Sequence, residues 1–226
     1  MALIESLRMV LARPHRAGHP FIAAGASATL VGLLVAHWLF WLGLAFTLFC
    51  LYFFRDPERV TPKRANIAVA PADGHVCSVM LAPPPPSLEM GDTPRWRISI
   101  FLSVLDVHVN RIPFTGQVTK IAYHPGLFLS ANLDKASDEN ERNAIALRLA
   151  DGRDMAVVQI AGLIARRILC DLRDGDEVTT GQRFGIIRFG SRTDLYLPPG
   201  VVPLVELGQT MVGGETVMAD LASFVL

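Results

Sequence analysis

The longest uncharged stretch of the chain constrains its fold more than any other feature. From Ala17 to Phe54, 38 consecutive positions carry no Asp, Glu, Lys or Arg. A membrane-spanning helix needs about 20 residues to cross about 30 Å of hydrocarbon, whereas one straight helix of this length would reach roughly 57 Å. The stretch therefore predicts either one tilted span with apolar flanks or two half-length helices that turn near His37 and Trp38.

Basic residues flank this stretch on both sides: Arg8, Arg13 and Arg16 precede it, and Arg55, Arg59, Lys63 and Arg64 follow it. Because Lys and Arg are enriched on the cytoplasmic side of membranes, a single crossing would put one cluster on the wrong side. A shallow or re-entrant hairpin keeps both clusters on the cytoplasmic face, so we favour it over a single span. We expect residues 1–54 to associate with the membrane, beginning with an amphipathic helix over residues 3–11 in the headgroup layer.

Composition excludes several classes of protein. Apolar residues make up 51% of the 226 positions and charged residues 19%, which excludes intrinsic disorder. The 21 basic and 21 acidic side chains cancel, which argues against a general nucleic-acid binder. Three widely spaced cysteines form neither a disulfide framework nor a zinc site.

The rest of the chain has the pattern of short strands. Apolar residues alternate with other side chains over residues 95–102 and 145–150, as in half-buried strands. Residues 157–164 and 184–189 are further apolar runs, whereas 130–143 is polar and predicts a loop. Four prolines at 83–86 predict a stiff exposed connection. We therefore expect a mainly β body, a barrel or sandwich, formed by residues 55–190 and completed by 191–226.

An apolar run ends at Gly190 and Ser191, and an extended run resumes at Asp194. Glycine at such a joint removes a side chain that would hinder attack by the serine hydroxyl on the preceding carbonyl. That attack would convert the peptide into an ester, and elimination followed by hydrolysis would leave a pyruvoyl group. The spacing alone allows this reaction without requiring it.

Several motifs in order give the chain a specific resemblance. It resembles the phosphatidylserine decarboxylases of the short bacterial and archaeal type through segments that cover most of the chain from Phe54 to about Pro198. These segments are FRDP at 54–57, APADG at 70–74, DVHVNRIP at 106–113, KAS at 135–137, NERN at 140–143 and IRFGSRTD at 187–194.

The resemblance implies a proenzyme that cuts itself between Gly190 and Ser191. Ser191 would become the pyruvoyl cofactor, which forms a Schiff base with the amine of phosphatidylserine and releases CO2 to give phosphatidylethanolamine. No diffusible cofactor, metal or nucleic acid is implied. The implied partners are the lipid substrate, the cytoplasmic face of the cell membrane, and the large and small chains of one precursor, with a homo-oligomer left open.

Two further residues gain a functional interpretation from the resemblance. His108 matches a histidine implicated in the family's site and could return a proton after CO2 leaves; a hydrogen-bonded histidine on a polar strand face is the structural alternative. We expect Asp106, His108 and Asn110 to share one face of a strand. Asp73 could orient a histidine or assist self-cleavage, or could simply begin a turn.

The chain departs from longer family members at Arg111, where those members carry a second histidine. Arginine cannot accept a proton at ordinary pH, so the base for self-cleavage stays open: His108 could serve both steps, or strain could suffice. Candidates to hold the lipid phosphate or carboxylate, with solvated surface charge as the alternative for each, are Lys135, Arg111, Arg142 and Arg192.

A rival interpretation starts from residues 175–182, GDEVTTGQ, which also resemble a turn of biotinyl or lipoyl carrier domains. Those carriers need a lysine after the next strand, and none occurs from residue 136 to the end. Covalent carriage is therefore disfavoured. A membrane-anchored β-sandwich adaptor without enzymatic activity remains the alternative.

Overall fold

The computed structural model describes residues 12–126, 140–162, 167–188 and 191–223. They form two compact units, Met1–Glu58 and Arg59–Leu226. The first is helical and the second is built almost entirely from strands. The amphipathic helix predicted over residues 3–11 lies outside the described residues.

The apolar stretch forms two helices, as the hairpin hypothesis requires. A 3-10 turn at Arg16–Gly18 leads into α1, His19–Val35, and α2 spans His37–Phe53. The helices are separated at Ala36, whose backbone is extended with φ −160° and ψ 129°. By length and composition, one stretch among the described residues, Arg16–Val35, could cross a membrane.

Glycines allow α1 and α2 to pack closely side by side. A Cβ on Gly32 would lie 2.2 Å from the backbone N of Phe40, and one on Gly43 would lie 2.6 Å from that of Thr29. Position 32 of α1 contacts position 40 of α2, and position 29 contacts position 43, so the residue numbers fall along one helix as they rise along the other. The helices are therefore antiparallel.

The two ends of the hairpin are joined by backbone hydrogen bonds. The N–H of His15 donates to the carbonyl of Phe54 at 2.7 Å, and the N–H of Asp56 donates to that of Arg13 at 3.0 Å. Arg13 and Arg55 therefore lie at the same end of the unit, as the paired basic flanks predict.

Thirteen strands build the second unit within the described residues. They are β1 (Ile67–Val69), β2 (Gly74–Ala82), β3 (Arg95–Leu102), β4 (Val109–Arg111), β5 (Gly116–His124), β6 (Arg142–Arg148), β7 (Asp154–Ala161), β8 (Ile168–Cys170), β9 (Glu177–Val178), β10 (Arg183–Ile187), β11 (Ser191–Tyr196), β12 (Thr210–Met211) and β13 (Val217–Asp220).

An eight-stranded sheet dominates the second unit, with the order β12-β2-β3-β11-β7-β6-β5-β9. A three-stranded sheet, β4-β10-β8, and the pair β1-β13 are separate from it. All the pairings are antiparallel. The predicted β-rich body is therefore confirmed.

The alternating apolar residues form the main core, as their period of two predicts. Ile98, Ile145 and Leu195 from the large sheet pack in one cluster with Phe184 of β10 and Met218 of β13. The small sheets therefore cover one face of the large sheet. On its other face, a smaller cluster includes Leu88, Val158, Ile160 and Tyr196.

Some predicted boundaries are wrong. β6 begins at Arg142, inside the predicted loop 130–143, most of which lies outside the described residues. Pro84, in the proline run, is buried rather than exposed. β4 begins only at Val109, because the N–H of Asp106 donates to the carbonyl of Ser103 at 3.0 Å and forms a turn; Asp106 therefore does not belong to the strand.

The fold predicts that Gly74→Ala destabilises the protein strongly. Gly74 has φ +140°, and an added Cβ would lie 2.1 Å from the carbonyl oxygen of Phe101. The matched control is Gly152→Ala, where φ is +84° with no atom within 4 Å, so only the backbone cost of about 1–2 kcal/mol applies. Urea unfolding in detergent, followed by circular dichroism, should give a clearly lower midpoint for Gly74→Ala; equal midpoints would contradict the close approach of Phe101 to Gly74.

Candidate active site

β11 begins at Ser191 and lies in the middle of the large sheet. Ser191 is the register partner of Leu102 in β3 on one side and of Ala161 in β7 on the other. The residue is completely buried, and within the described part of the chain its Oγ has no hydrogen-bond partner. An unsatisfied buried hydroxyl costs about 1–3 kcal/mol, so a fold that retains one calls for a functional explanation.

His108 lies one residue before β4 and is also completely buried. Its Nδ1 is 2.9 Å from the carbonyl oxygen of Asp106. Because a carbonyl only accepts hydrogen bonds, Nδ1 carries a proton in this contact. Proton exchange at His108 is therefore assigned to Nε2.

Two contacts connect His108 with Ser191. The N–H of Ile187, the last residue of β10, donates to the carbonyl of His108 at 3.3 Å. The side chain of Ile187 belongs to a small buried cluster with Ala161 and Ile168, and Ala161 is the register partner of Ser191. The fold therefore brings the predicted histidine and serine to one region of the body.

Asp73 comes directly before β2, at the end of the large sheet where β11 begins. β3 lies between β2 and β11, which implies a separation of about 10 Å between their backbones. The Oδ2 of Asp73 lies 2.6 Å from Nη2 of Arg59, and its Oδ1 accepts a bond from the N–H of Gly213 at 2.8 Å. These contacts tie Asp73 to the turn at 213–214.

Arg111 lies beside the same turn. Its Nη1 donates to the carbonyl of Gly181 at 3.0 Å, and a Cβ on Gly214 would lie 2.7 Å from its Cδ. The side chain that stands in place of the second histidine is thus buried among backbone turns, where it can donate hydrogen bonds but not accept a proton.

Arg192 and Arg142 lie on the opposite face of the sheet from Ser191, because successive strand residues point to opposite faces and Arg142 is aligned with Arg192 through β7. Arg192 donates from Nε and Nη2 to both carboxylate oxygens of Asp194, at 2.6 and 2.9 Å. Arg142 lines a cavity of about 400 Å³, together with Asp194 and Tyr196. Gly190 and Lys135 lie outside the described residues.

Sequence reasoning missed a cationic pair next to the joint. The N–H of Arg188 donates to the carbonyl of Arg167 at 3.4 Å. Burial, and then the nearby charge of Arg167, lower the pKa of Arg188 from its usual value. Two guanidinium groups beside the segment that leads to Ser191 could receive an anionic group.

Sequence reasoning also missed three buried amides, Asn110, Gln159 and Asn143, on the core face that Ser191 shares. The available signal was a polar residue at an inward position of an apolar strand, such as Gln159 between Val158 and Ile160.

The thiols in the body are unsuited to nucleophilic attack. Burial raises the pKa of Cys77 and of Cys170 above the usual value for a thiol. Since the thiolate is the reactive form, both remain protonated near neutral pH. The buried hydroxyl of Ser191 is the better candidate nucleophile.

Comparison with known proteins is consistent with this geometry. A model of the phosphatidylserine decarboxylase family matches residues 46–219. A protein of Granulibacter bethesdensis named phosphatidylserine decarboxylase proenzyme is 69% identical over 221 residues, covering 98% of this chain and 91% of that protein. Proteins of the same name from Gluconacetobacter diazotrophicus and Gluconobacter oxydans are 65% and 63% identical, covering 98% of this chain and 100% of each relative.

The site thus lies in a β-rich body of the decarboxylase type, and the chain belongs to the phosphatidylserine decarboxylase family. The resemblance inferred from the ordered motifs is confirmed. The alternative of a carrier-like adaptor receives no support, because the family match spans both the GDEVTTGQ turn and the Gly190–Ser191 joint.

The buried pair of Arg192 and Asp194 predicts a large loss of stability for Asp194→Asn. The change removes the buried negative charge that faces both Arg192 and Arg97, and breaking a buried ion pair in this way costs about 3–5 kcal/mol. The matched control is Asp151→Asn, because Asp151 pairs with Arg153 at the surface, where ion pairs contribute little. Thermal unfolding in detergent should show a large drop for Asp194→Asn and little change for the control; similar midpoints would contradict the prediction.

Proposed function

We propose that this protein is a phosphatidylserine decarboxylase that cuts its own backbone between Gly190 and Ser191 and uses the resulting pyruvoyl group. The observation that carries the proposal is the buried, unsatisfied hydroxyl of Ser191 at the start of a central strand. Membership of a family whose relatives are named proenzymes supports it.

Self-cleavage starts at Ser191. Its Oγ bonds to the carbonyl carbon of Gly190, the peptide C–N bond breaks, and the nitrogen of Ser191 takes a proton. Removal of the Cα proton then breaks the Cβ–Oγ bond, and Gly190 leaves as a carboxylate. Water completes the conversion with loss of ammonia. Leu102 and Ala161, the apolar register partners of Ser191, exclude bulk water from the first steps.

The pyruvoyl group would supply an electron-withdrawing carbonyl that takes up the electron pair released as CO2 leaves. Its position would be that of Ser191, so no further binding site is needed. His108 would hold the proton on Nε2 that the substrate carbon receives, because Nδ1 is fixed by Asp106.

Asp73 has a supporting role in this proposal. Its carboxylate holds the 213–214 turn through Gly213, and Arg111 packs against that turn. Arg142, Arg111 and Lys135 remain proposed partners of the lipid phosphate or carboxylate. Arg192 remains one as well, but it would have to exchange Asp194 for the lipid anion. The cavity that Arg142 lines supports its proposed role as a lipid ligand. Arg167 and Arg188 are further proposed ligands, because they lie beside the segment that leads to Ser191.

The two chains made by cleavage would stay together. β11 belongs to the small chain, residues 191–226, yet it pairs with β3 and β7 of the large chain on its two sides. β12 and β13 also pair with large-chain strands. Cutting before Ser191 therefore removes one covalent link and leaves these ladders in place beyond that first residue.

The helical hairpin would hold the enzyme at the cytoplasmic face of the membrane. Each 17-residue helix is about 25 Å long, which is less than the hydrocarbon core of about 30 Å. The basic residues at the joined ends suit the cytoplasmic surface. The large apolar side chains exposed on the two helices are Leu30, Val31, Leu33, Leu34, Val35, Trp38, Trp41, Leu42, Phe46, Leu48 and Leu51.

Ser191→Ala should give an uncleaved and inactive precursor, because no hydroxyl remains to attack Gly190. Intact-mass spectrometry under denaturing conditions distinguishes one chain of 226 residues from two chains, the smaller with a borohydride-reducible N-terminus. Ser87→Ala is the matched control, since Ser87 is exposed, and it should cleave and release CO2 from phosphatidylserine vesicles normally. Cleavage of Ser191→Ala at the same bond would refute the proposal.

His108→Gln should lower kcat per pyruvoyl group by about 10²–10⁴-fold, the usual contribution of a positioned proton donor. The measurement uses the cleaved fraction, with CO2 release normalised to pyruvoyl content. His75→Gln, which changes an exposed histidine of β2, should retain full turnover. Normal turnover in cleaved His108→Gln would exclude His108 from proton transfer.

A further inference from the structure

Three buried amides form a continuous hydrogen-bonded row on the core face of the body. The Nδ2 of Asn143 donates to Oε1 of Gln159 at 3.0 Å, and the Nε2 of Gln159 donates to Oδ1 of Asn110 at 2.8 Å. We name Asn143, Gln159 and Asn110 the amide row.

The row crosses from the large sheet to the three-stranded sheet next to Ser191. Gln159 is the register partner of Thr193 in β11. Ser191 lies two residues before Thr193 on the same face, about 7 Å along the strand. At the other end of the row, Asn110 lies two residues after His108. Because Gln159 is level with Thr193, the row ends one step along β11 from the proposed nucleophile and two residues along the chain from the proposed proton carrier.

The direction of the hydrogen bonds orients Asn110. The side-chain oxygen of Gln159 accepts the hydrogen bond from Asn143. The side-chain nitrogen of Gln159 therefore faces Asn110 and donates to its oxygen. The Nδ2 of Asn110 is thereby turned away from the row. A Cβ on Gly185, the register partner of Asn110, would lie only 3.1 Å from Nε2 of Gln159, so the two sheets meet closely here and hold the row in place.

The end of the row leaves hydrogen-bonding groups unsatisfied. Among the residues that the structure covers, Nδ2 of Asn110, Oγ of Ser191 and Oγ1 of Thr193 are buried without a hydrogen-bond partner. Each unsatisfied group costs about 1–3 kcal/mol. The row thus ends in an unused donor on β4, and the core face of β11 across from it carries two unused hydroxyls, those of Ser191 and Thr193.

We propose that Asn110 is a catalytic residue of self-cleavage, and that Gln159 and Asn143 are the positioning residues that aim it. This inference rests on the proposed function. The Nδ2 of Asn110 donates to the serine oxygen after that oxygen has bonded to the carbonyl carbon of Gly190. When the Cβ–O bond breaks, the electron pair moves onto this oxygen, which leaves in the carboxylate of Gly190.

A fixed donor at that oxygen stabilises the charge that develops as it leaves. Single donors of this kind contribute about 10²–10³-fold in rate. The amide donor also suits a chain with Arg111 in place of a second histidine, because it assists departure of the oxygen without having to accept a proton.

Asn110→Asp is the sharpest test. It keeps an acceptor for Nε2 of Gln159 and replaces the Nδ2 donor with an oxygen. Cleavage of freshly synthesised precursor, followed by intact mass over time, should be slower by about 10²-fold. Turnover per pyruvoyl group in the cleaved fraction should fall far less than the cleavage rate, since the donor acts on the departing oxygen. A purely structural role would instead lower both together.

Asn110→Leu removes the donor without introducing a carboxylate and should slow cleavage similarly. In Gln159→Glu, Asn110 itself is unchanged, but the side chain at position 159 then presents only acceptor oxygens to it. Asn110 would turn its Nδ2 toward that carboxylate and away from the serine oxygen. Cleavage should therefore slow again. Asn140→Asp is the control for a buried amide, because its Nδ2 donates to the carbonyl of Ala161; its folded fraction should cleave normally.

Thermal unfolding of each variant in the Ser191→Ala background identifies the folded ones. Folded Asn110→Asp and Asn110→Leu that cleave at the unmodified rate would overturn the inference, as would equal slowing by Asn140→Asp. Failure of the unmodified chain to cleave would instead overturn the proposed function itself, so the two failures are distinguishable.

Discussion

The pairing of β11 on both of its sides is the constraint on which the site depends. Ser191 has register partners in β3 and in β7, so its backbone is held at the first position of a strand that cannot shift without breaking two ladders. A residue fixed in this way has few conformations left. A flexible loop would lose conformational entropy each time it brought a hydroxyl to a neighbouring carbonyl. At Ser191 this entropy is already lost during folding. A strand end is therefore a suitable place for a backbone rearrangement.

The alternation of side chains along β11 separates chemistry from stability. Ser191 and Thr193 face the core beside the amide row, whereas Arg192 and Asp194 face the other way and bind each other. One strand can therefore present a reactive hydroxyl on one face and a buried ion pair on the other. Since both faces are covered, the ion pair is desolvated and gains from its bidentate geometry, and the hydroxyl is shielded from water.

The sequence predicted the elements whose signals are local. The period of two over residues 95–102 indicated β3, the uncharged stretch indicated the hairpin, and the ordered motifs indicated the family. Contacts between distant strands were beyond that reasoning, because a single sequence contains no register. The bonds from Gln159 to Asn110 and from Asp73 to Gly213 join residues 49 and 140 positions apart. The buried state of Arg192 was hidden as well. Its partner Asp194 is only two positions away and belongs to an ordinary polar alternation, whereas the strands β3 and β7 beside the pair come from distant parts of the chain.

The geometry also explains how a chain can be cut in its central sheet and remain folded. The bond before Ser191 lies at the start of the ladder of β11, so its loss and the release of the Ser191 nitrogen affect only the first residue of the strand. The new chain end is held by the pairing of six consecutive residues on each side. A cut within β11 would instead release a strand end and expose the apolar face that carries Leu195 and packs in one cluster with Phe184. A joint at the boundary of a doubly paired strand therefore combines a constrained reacting bond with a product that keeps its core.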